Sequence, residues 1–297
     1  MISLKQIHYA LAVGRTLHFK RAAEICSVSQ SALSTALAEM EKQLGFKVFE
    51  RTNKKVIVTP VGQRMLEKAQ QIKLAVDDLH KLADTEGLPL RSGLAIGMIP
   101  TVGPSLLPVL VPALRQHYPD LAVKVIEEQS HVLLDQLRSG DLDTAILALP
   151  YEHEGLLAFP FWSENFLWVT HRDDPLAKHP KIKASDLDKS SLMLLKEGHC
   201  LTDHILNICR MQESEAQGLR ATSLLTLVQL VAGQLGSTLV PEMAESTLVS
   251  PHEDLISVPL ADPGPHRQLA FLVRPNYPNL KNIELLIALI TEALNQR

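Results

Sequence analysis

The stretch from Cys26 to Gly45, CSVSQSALSTALAEMEKQLG, constrains the chain more than any other. Ala32, Leu33, Ala36, Leu37, Met40 and Leu44 recur at three- and four-residue spacing, which predicts one apolar helix face. Ser27 and Ser29 suit a turn and an N-cap, because a serine hydroxyl accepts the unpaired N–H groups of a first helical turn. Gly45 reads as the stop, since glycine takes the left-handed conformation at little cost. Leu4 to Val13 predicts an earlier helix, with Leu4, Ile7, His8, Leu11 and Ala12 on one face, and a second runs from about His18 to Cys26. Two short helices joined by a tight polar turn form a helix-turn-helix pattern.

The second helix of such a pair can enter the DNA major groove by its N-terminal end. Gln30, Ser31, Ser34 and Thr35 occupy its exposed positions and can reach base edges or phosphates. VFERTNKKVIVTP then reads as strand, turn, strand, a wing whose Arg51, Lys54 and Lys55 suit phosphate contacts. A generic helical domain with a basic surface would give a similar pattern. The charge distribution bears on that choice. Residues 1–60 hold nine Lys/Arg against four Glu, or +5, whereas the remainder holds 20 basic against 29 acidic residues, or −9. A basic first domain on an acidic body suits a protein that grips a polyanion with one end only.

From Pro60 onward Met65, Ala69, Ile72, Val76, Leu79 and Ala83 fall at spacings of four and three, a heptad seam. Some 25 helical residues reach about 38 Å, and TEGLP follows as a hinge. This predicts a dimerising coiled-coil linker helix, although one amphipathic helix lying on its own body would show the same stripe. The rest of the chain alternates strand, turn and helix, as in SGLAIGMIPTVGPSLLPVLVPALRQHYPDLAVKVIEEQS, LLDQLRSGDLDTAILA and TLVQLVAGQLGSTLVPEMAE, with a last helix at about Asn282 to Asn295. Such alternation predicts an α/β body with a largely parallel sheet. Its cleft could take a small metabolite, with Thr101 and Ser130 as hydroxyl ligands.

Other classes fit poorly. Met1 to Gly14 lacks a basic start and an unbroken apolar run, so no signal peptide is expected. No stretch of about 18 uncharged apolar residues suggests a membrane span. Three cysteines in 297 residues make no secreted disulfide framework, and a cytoplasmic location is expected.

Two of those cysteines lie in KEGHCLTDHILNIC. Leu201 to Met211 looks helical, with Thr202 as a possible cap. If Cys200 begins this helix, Cys209 lies about 13 Å along it on the opposite face, and a disulfide needs Cα atoms within about 7 Å. The two can bond only if the segment partly unwinds. Cys200, next to His199 and near a helix N-terminus, is expected to have a lowered pKa and to be the attacking thiol, with Cys209 resolving. Cys26 reads as a small core residue. Two unrelated buried thiols, a metal site of His199, Cys200, His204 and Cys209, and a thiol peroxidase remain alternatives. The spacing lacks the short knuckles of zinc sites, so no metal is expected.

FKRAAEICSVSQSALSTALAEMEKQLGFKVFERTNKKVIVTPVG resembles the DNA-binding domain of the LysR-type transcriptional regulators. Ser31 departs from it, standing where most members have Pro. LKEGHCLTDHILNIC, IPTVGPSLLPVLVP, GDLDTAILAL, RATSLLTL and HRQLAFLVRP resemble the peroxide-sensing members. The resemblance implies an N-terminal winged helix-turn-helix (1–60), a linker helix and hinge (61–88) and a two-lobed periplasmic-binding-protein-like regulatory domain (89–297). Its Rossmann-like subdomains would be 89–163 with 269–297, and 164–268. It further implies Cys200 as peroxidatic and Cys209 as resolving residue, and a pocket shaped by Thr101, His199, Asp203 and Arg267. Ser130 stands where those proteins often have Thr. The implied partners are promoter DNA, hydrogen peroxide, RNA polymerase and further copies of the chain as a dimer of dimers, with no membrane and no cofactor. The expected function is regulatory rather than enzymatic.

Overall fold

The computed structural model describes residues 1–51, 55–84, 90, 93–216 and 218–296, the side chains of 80, 83 and 84 excepted. Lys54, the hinge TEGLP and the Ala83 side chain lie outside the described residues. The chain forms two units, Met1–Asp84 and Thr85–Arg297.

In the first unit α1 (Leu4–Thr16) starts at Ser3, whose hydroxyl accepts the Gln6 N–H while the Gln6 side chain accepts the Ser3 N–H. After α2 (Phe19–Ile25), Ser29 caps α3 (Gln30–Leu44), and Gly45 ends it in the left-handed conformation at φ 76°. Ala10 and Val13 of α1, Ala22 of α2, and Leu33, Leu37 and Met40 of α3 meet in one core; Ala32, expected on that face, is exposed. β1 (Phe49–Arg51) and β2 (Val56–Val58) pair antiparallel as the wing. The Glu41 carboxylate accepts N–H bonds from Val48 (2.9 Å) and Phe49 (3.1 Å) and a bond from Lys47 Nζ (2.8 Å), fixing α3 to the wing. Then α4 runs Pro60–Asp84. The expected seam divides along it. Met65 and Ala69 pack onto this unit's own core beside Leu66, because α4 crosses α1 there, whereas Ile72 and Leu79 stand exposed and Val76 half-buried.

The second unit carries, in chain order, β3 (Leu94–Met98), α5 (Gly103–His117), β4 (Val123–Glu127), α6 (Ser130–Ser139), β5 (Thr144–Leu149), β6 (Leu157–Glu164) and β7 (Phe166–His171). There follow β8 (Leu194–Leu195), α7 (Cys200–Ile208), β9 (Arg220–Ala221), α8 (Leu224–Ala232), β10 (Thr238–Pro241), β11 (Leu255–Pro259), β12 (Arg267–Val273) and α9 (Leu280–Asn295). A five-stranded sheet has the order β4-β3-β5-β12-β6, and a three-stranded sheet the order β10-β7-β11; β8 pairs with β9. Each larger sheet anchors its own core, one around Ile96, Leu106, Ile146, Phe271 and Ile283, the other around Phe166, Trp168, Leu194, Leu227 and Leu239.

The five-stranded sheet is mixed and the three-stranded sheet antiparallel, rather than largely parallel. β3 runs parallel to its neighbours β4 and β5, and β8 to β9, while β12 is antiparallel to β5 and β6, and β7 is antiparallel to β10 and β11. The cause is the double crossing between lobes. β6 and β7 leave the first lobe through the single residue Asn165, and β11 and β12 bring the chain back, so outgoing and returning strands lie side by side in opposite senses. The crossings, expected with boundaries at Glu164 and Gln268, sit slightly further out. Glu164, Arg267 and Gln268 are all strand residues of the first lobe, with Arg267 opposite Glu164 and Gln268 opposite Ser163.

Candidate functional site

On the first unit Gln30, Ser31 and Thr35 are exposed on the first turns of α3. Ser34 is half-buried and accepts a bond from Arg51 Nη2 at 2.9 Å. The Arg51 guanidinium lies 3.6 Å from the Phe19 ring centroid, a cation–π stack. Arg51 therefore braces the wing against α2 and α3, a role its sequence position did not suggest. Lys55 is exposed at the start of β2's approach.

In the second unit Cys200 is the first residue of α7, follows the N-cap His199, and is buried in the first lobe's core. Gly198, at φ 93°, turns the chain into that helix, and a Cβ there would lie 2.7 Å from the Gln129 Oε1. Ile99, Pro100, Thr101, Gln129, Ser130 and His199 surround the thiol in a fissure of about 170 Å³ of empty space, too narrow for a water-sized sphere. Thr101 is buried, and its hydroxyl accepts from Arg267 Nη1 at 3.2 Å while its carbonyl accepts from Nη2 at 3.3 Å. Arg267 is itself held by Glu164, with Nε–Oε1 at 2.8 Å and Nη2–Oε1 at 2.7 Å. Ser130, the first residue of α6, is 1% exposed, and its hydroxyl faces the Cys200 thiol.

Burial holds the Cys200 thiol above its ordinary pKa. The Arg267 charge, the Ser130 hydroxyl and the Ala148 N–H act against burial by favouring the thiolate, and Asp203 adds to it. This overturns the expected lowering by His199 and the helix end. Desolvation pushes the His199 pKa down, so the imidazole is neutral and brings no charge to the sulfur. Thr202 does not cap α7 either; its hydroxyl donates to the Leu195 carbonyl at 3.0 Å. Asp203 is exposed and faces not the fissure but a wide open groove of about 1650 Å³, which Arg267 also lines. The structure thus gathers Thr101, Ser130, His199 and Cys200, with Arg267 reaching them through Thr101. Glu164 and the Ala148 N–H complete the arrangement, and no local pattern marked them, because both arrive through strand pairing distant in sequence.

Cys209 caps the C-terminal end of α7 and is buried in the second lobe's core. Desolvation, with Asp262 nearby, pushes its pKa up to about 11. Nine residues of helix separate the two Cα positions by about 13 Å of rise, and all three cysteines are free. His199, Cys200, His204 and Cys209 do not converge, and among the described residues no group of three or more His, Cys, Asp or Glu is placed to hold a metal ion.

A winged helix-turn-helix followed by a long helix and a two-lobed α/β receptor defines a DNA-binding regulator with an internal sensor. Residues 4–63 match the bacterial regulatory helix-turn-helix of the lysR family and residues 89–295 the LysR substrate binding domain; the chain belongs to the LysR family. It is 36% identical over 278 residues to the hydrogen peroxide-inducible genes activator of Dickeya chrysanthemi, covering 93% of this chain and 91% of that one. Full-length OxyR from Pseudomonas aeruginosa, a cysteine-to-aspartate variant, superposes with a TM-score of 0.79 at 32% identity, over 98% of this chain and 95% of that one. A peroxide-bound cysteine-to-serine mutant of OxyR from Corynebacterium glutamicum gives 0.68 at 32% identity, over 100% and 94%. No helix among the described residues is long and apolar enough to cross a membrane.

Proposed function

We propose that the chain is a hydrogen-peroxide-sensing transcriptional regulator whose signal is a Cys200–Cys209 disulfide. The observation that carries this reading is the position of the two thiols, at opposite ends of one helix and in different cores. The Cys200 thiolate attacks one peroxide oxygen, the O–O bond breaks, and the departing hydroxide takes a proton to become water. The resulting sulfenic acid is attacked by the Cys209 thiolate; the S–S bond forms and the sulfenic oxygen leaves as the second water. Two electrons from two thiols reduce one peroxide. Arg267, Ser130 and the Ala148 N–H favour the attacking thiolate, and Thr101 positions Arg267. Cys209 has no such help in its apolar surroundings and reacts only once α7 opens.

The unwinding links lobe geometry to the DNA-binding unit. Two chains joined along Ile72, Val76 and Leu79 would set two α3 helices about one DNA turn apart, and a dimer of dimers would span a longer promoter site and approach RNA polymerase. The reaction consumes two thiols per chain, so its natural role is switching rather than turnover, in a reducing cytoplasm. A metabolite effector fits less well at the fissure, because the Thr101 hydroxyl is already engaged by Arg267.

Micromolar peroxide should remove two titratable thiols per chain, and dithiothreitol should restore them. Cys200→Ser should abolish the response while DNA binding survives. A Cys200→Ser protein that still answers peroxide sinks this reading, and a small carboxylate that raises the melting temperature by several degrees would favour the metabolite alternative.

A further inference from the structure

One buried polar group of α7 takes no part in this chemistry. His204 lies between the two cysteines, four residues beyond Cys200, and is 3% exposed. Its Nε2 is 3.0 Å from the Pro150 carbonyl oxygen. A carbonyl can only accept, so Nε2 carries the proton. The ring stacks on Phe166, with centroids 6.5 Å apart and planes 26° apart. Nδ1 is buried and has no partner among the described residues, so a second proton would be left without an acceptor. Pro150 directly follows β5 of the first lobe, and Phe166 opens β7 directly after the Asn165 crossing. His204 therefore ties the helix that bears both thiols to the opposite lobe and to the crossing between lobes.

We infer that His204 is the latch of the switch: its bond to Pro150 and its stack on Phe166 hold α7 wound in the dithiol form, and both are given up when the disulfide closes. The inference rests on the disulfide reading above. Because His204 sits in the middle of the segment that must partly unwind, its contacts with Pro150 and Phe166 resist that unwinding. It is a positioning residue, acting on the sulfurs through the helix.

A released latch also takes up a proton. Desolvation lowers the His204 pKa, the Pro150 carbonyl opposes that, Arg267 on β12 adds to it, and the neighbouring Asp203 on α7 opposes it; Phe166 brings no charge. A histidine with a depressed folded pKa stabilises the wound form fully above its ordinary 6.5, and that stability is lost as pH falls below it. Acid therefore favours the disulfide. His199, likewise buried and lowered, contributes its own dependence to wild type and variant alike, so the comparison between proteins isolates His204.

The full-length chain is equilibrated with dithiothreitol. Protein dithiol and cyclic oxidised dithiothreitol exchange to protein disulfide and reduced dithiothreitol, with one S–S bond and two thiols on each side. Below the thiol pKa values this exchange releases no net proton, so any pH dependence reports groups other than sulfur. His204→Ala should shift the ratio toward disulfide about threefold to tenfold at pH 7.5, the worth of one buried hydrogen bond. His204→Gln can donate to Pro150 but cannot titrate. It should shift the ratio less than Ala does, and should flatten part of the wild-type rise between pH 7.5 and 5.5. An unshifted Ala variant, or a Gln variant with the wild-type pH profile, overturns the latch alone. Wild type that forms no Cys200–Cys209 bond with peroxide overturns the redox reading and the latch with it.

Discussion

Arg267 and Glu164 face each other across β12 and β6, joined through two nitrogens at 2.7 and 2.8 Å and both almost completely buried. The pair stands at the last first-lobe position before the chain crosses and the first after it returns. It thus pins the two lobe crossings together and delivers a guanidinium to Thr101, beside the Cys200 thiol.

Breaking that pair is strongly destabilising because the survivor is an uncompensated buried charge. Glu164→Gln and Arg267→Gln should each lower stability by roughly 3 kcal/mol, read from urea unfolding. They should diverge at Cys200. Freed of its counter-charge, Arg267 in Glu164→Gln favours the thiolate more, so peroxide reacts faster, whereas Arg267→Gln slows it. Parallel changes in reactivity would show that the arginine acts only as scaffold.

The raised Cys200 pKa makes oxidation depend on a minor thiolate fraction. Stopped-flow rates of peroxide oxidation should therefore climb about tenfold per unit between pH 6 and 8. A flat profile over that window would mean that Arg267 and the helix N-terminus outweigh burial.

Gly198 holds φ 93° against Gln129. Gly198→Ala should strain the wound form by about 1–2 kcal/mol and, if the segment is rebuilt on oxidation, move the dithiothreitol equilibrium toward disulfide by about tenfold. An unchanged equilibrium would mean that the turn survives in both states.

Glu41 makes an acid-sensitive joint in the first unit. Burial alone would raise its pKa, but Lys47 and the Phe49 and Val48 N–H groups outweigh it and hold the carboxyl below its ordinary 4.5. The stability this gives is full above 4.5 and is lost as pH falls through the lower folded value. Glu41→Gln should cost about 1–2 kcal/mol at pH 7 and flatten the loss between pH 5 and 3 in circular dichroism melts.

Much of this was legible from short-range pattern. Ser29, the Leu33–Leu37–Met40 stripe and Gly45 specify α3 within seventeen residues, and the distance between Cys200 and Cys209 follows from helical rise alone. What escaped depends on contacts far apart in sequence. The seam of α4 divides because Met65 and Ala69 meet α1, and antiparallel pairing arises because the chain crosses between lobes twice. Thr202 is drawn from its capping role by a carbonyl on β8. The expected acidity of Cys200 fails for a related reason: a helix end and a histidine are visible locally, but desolvation by the surrounding core is not. Glu164 and the His204–Pro150 bond left no mark in the sequence.

A bridge between sulfurs of two different cores would not relax back by thermal motion, because restoring the thiols takes two electrons; it would persist until an outside dithiol cuts it. Each chain then behaves as a one-bit memory of a single oxidant molecule, and a population of such chains tallies exposure by stoichiometry.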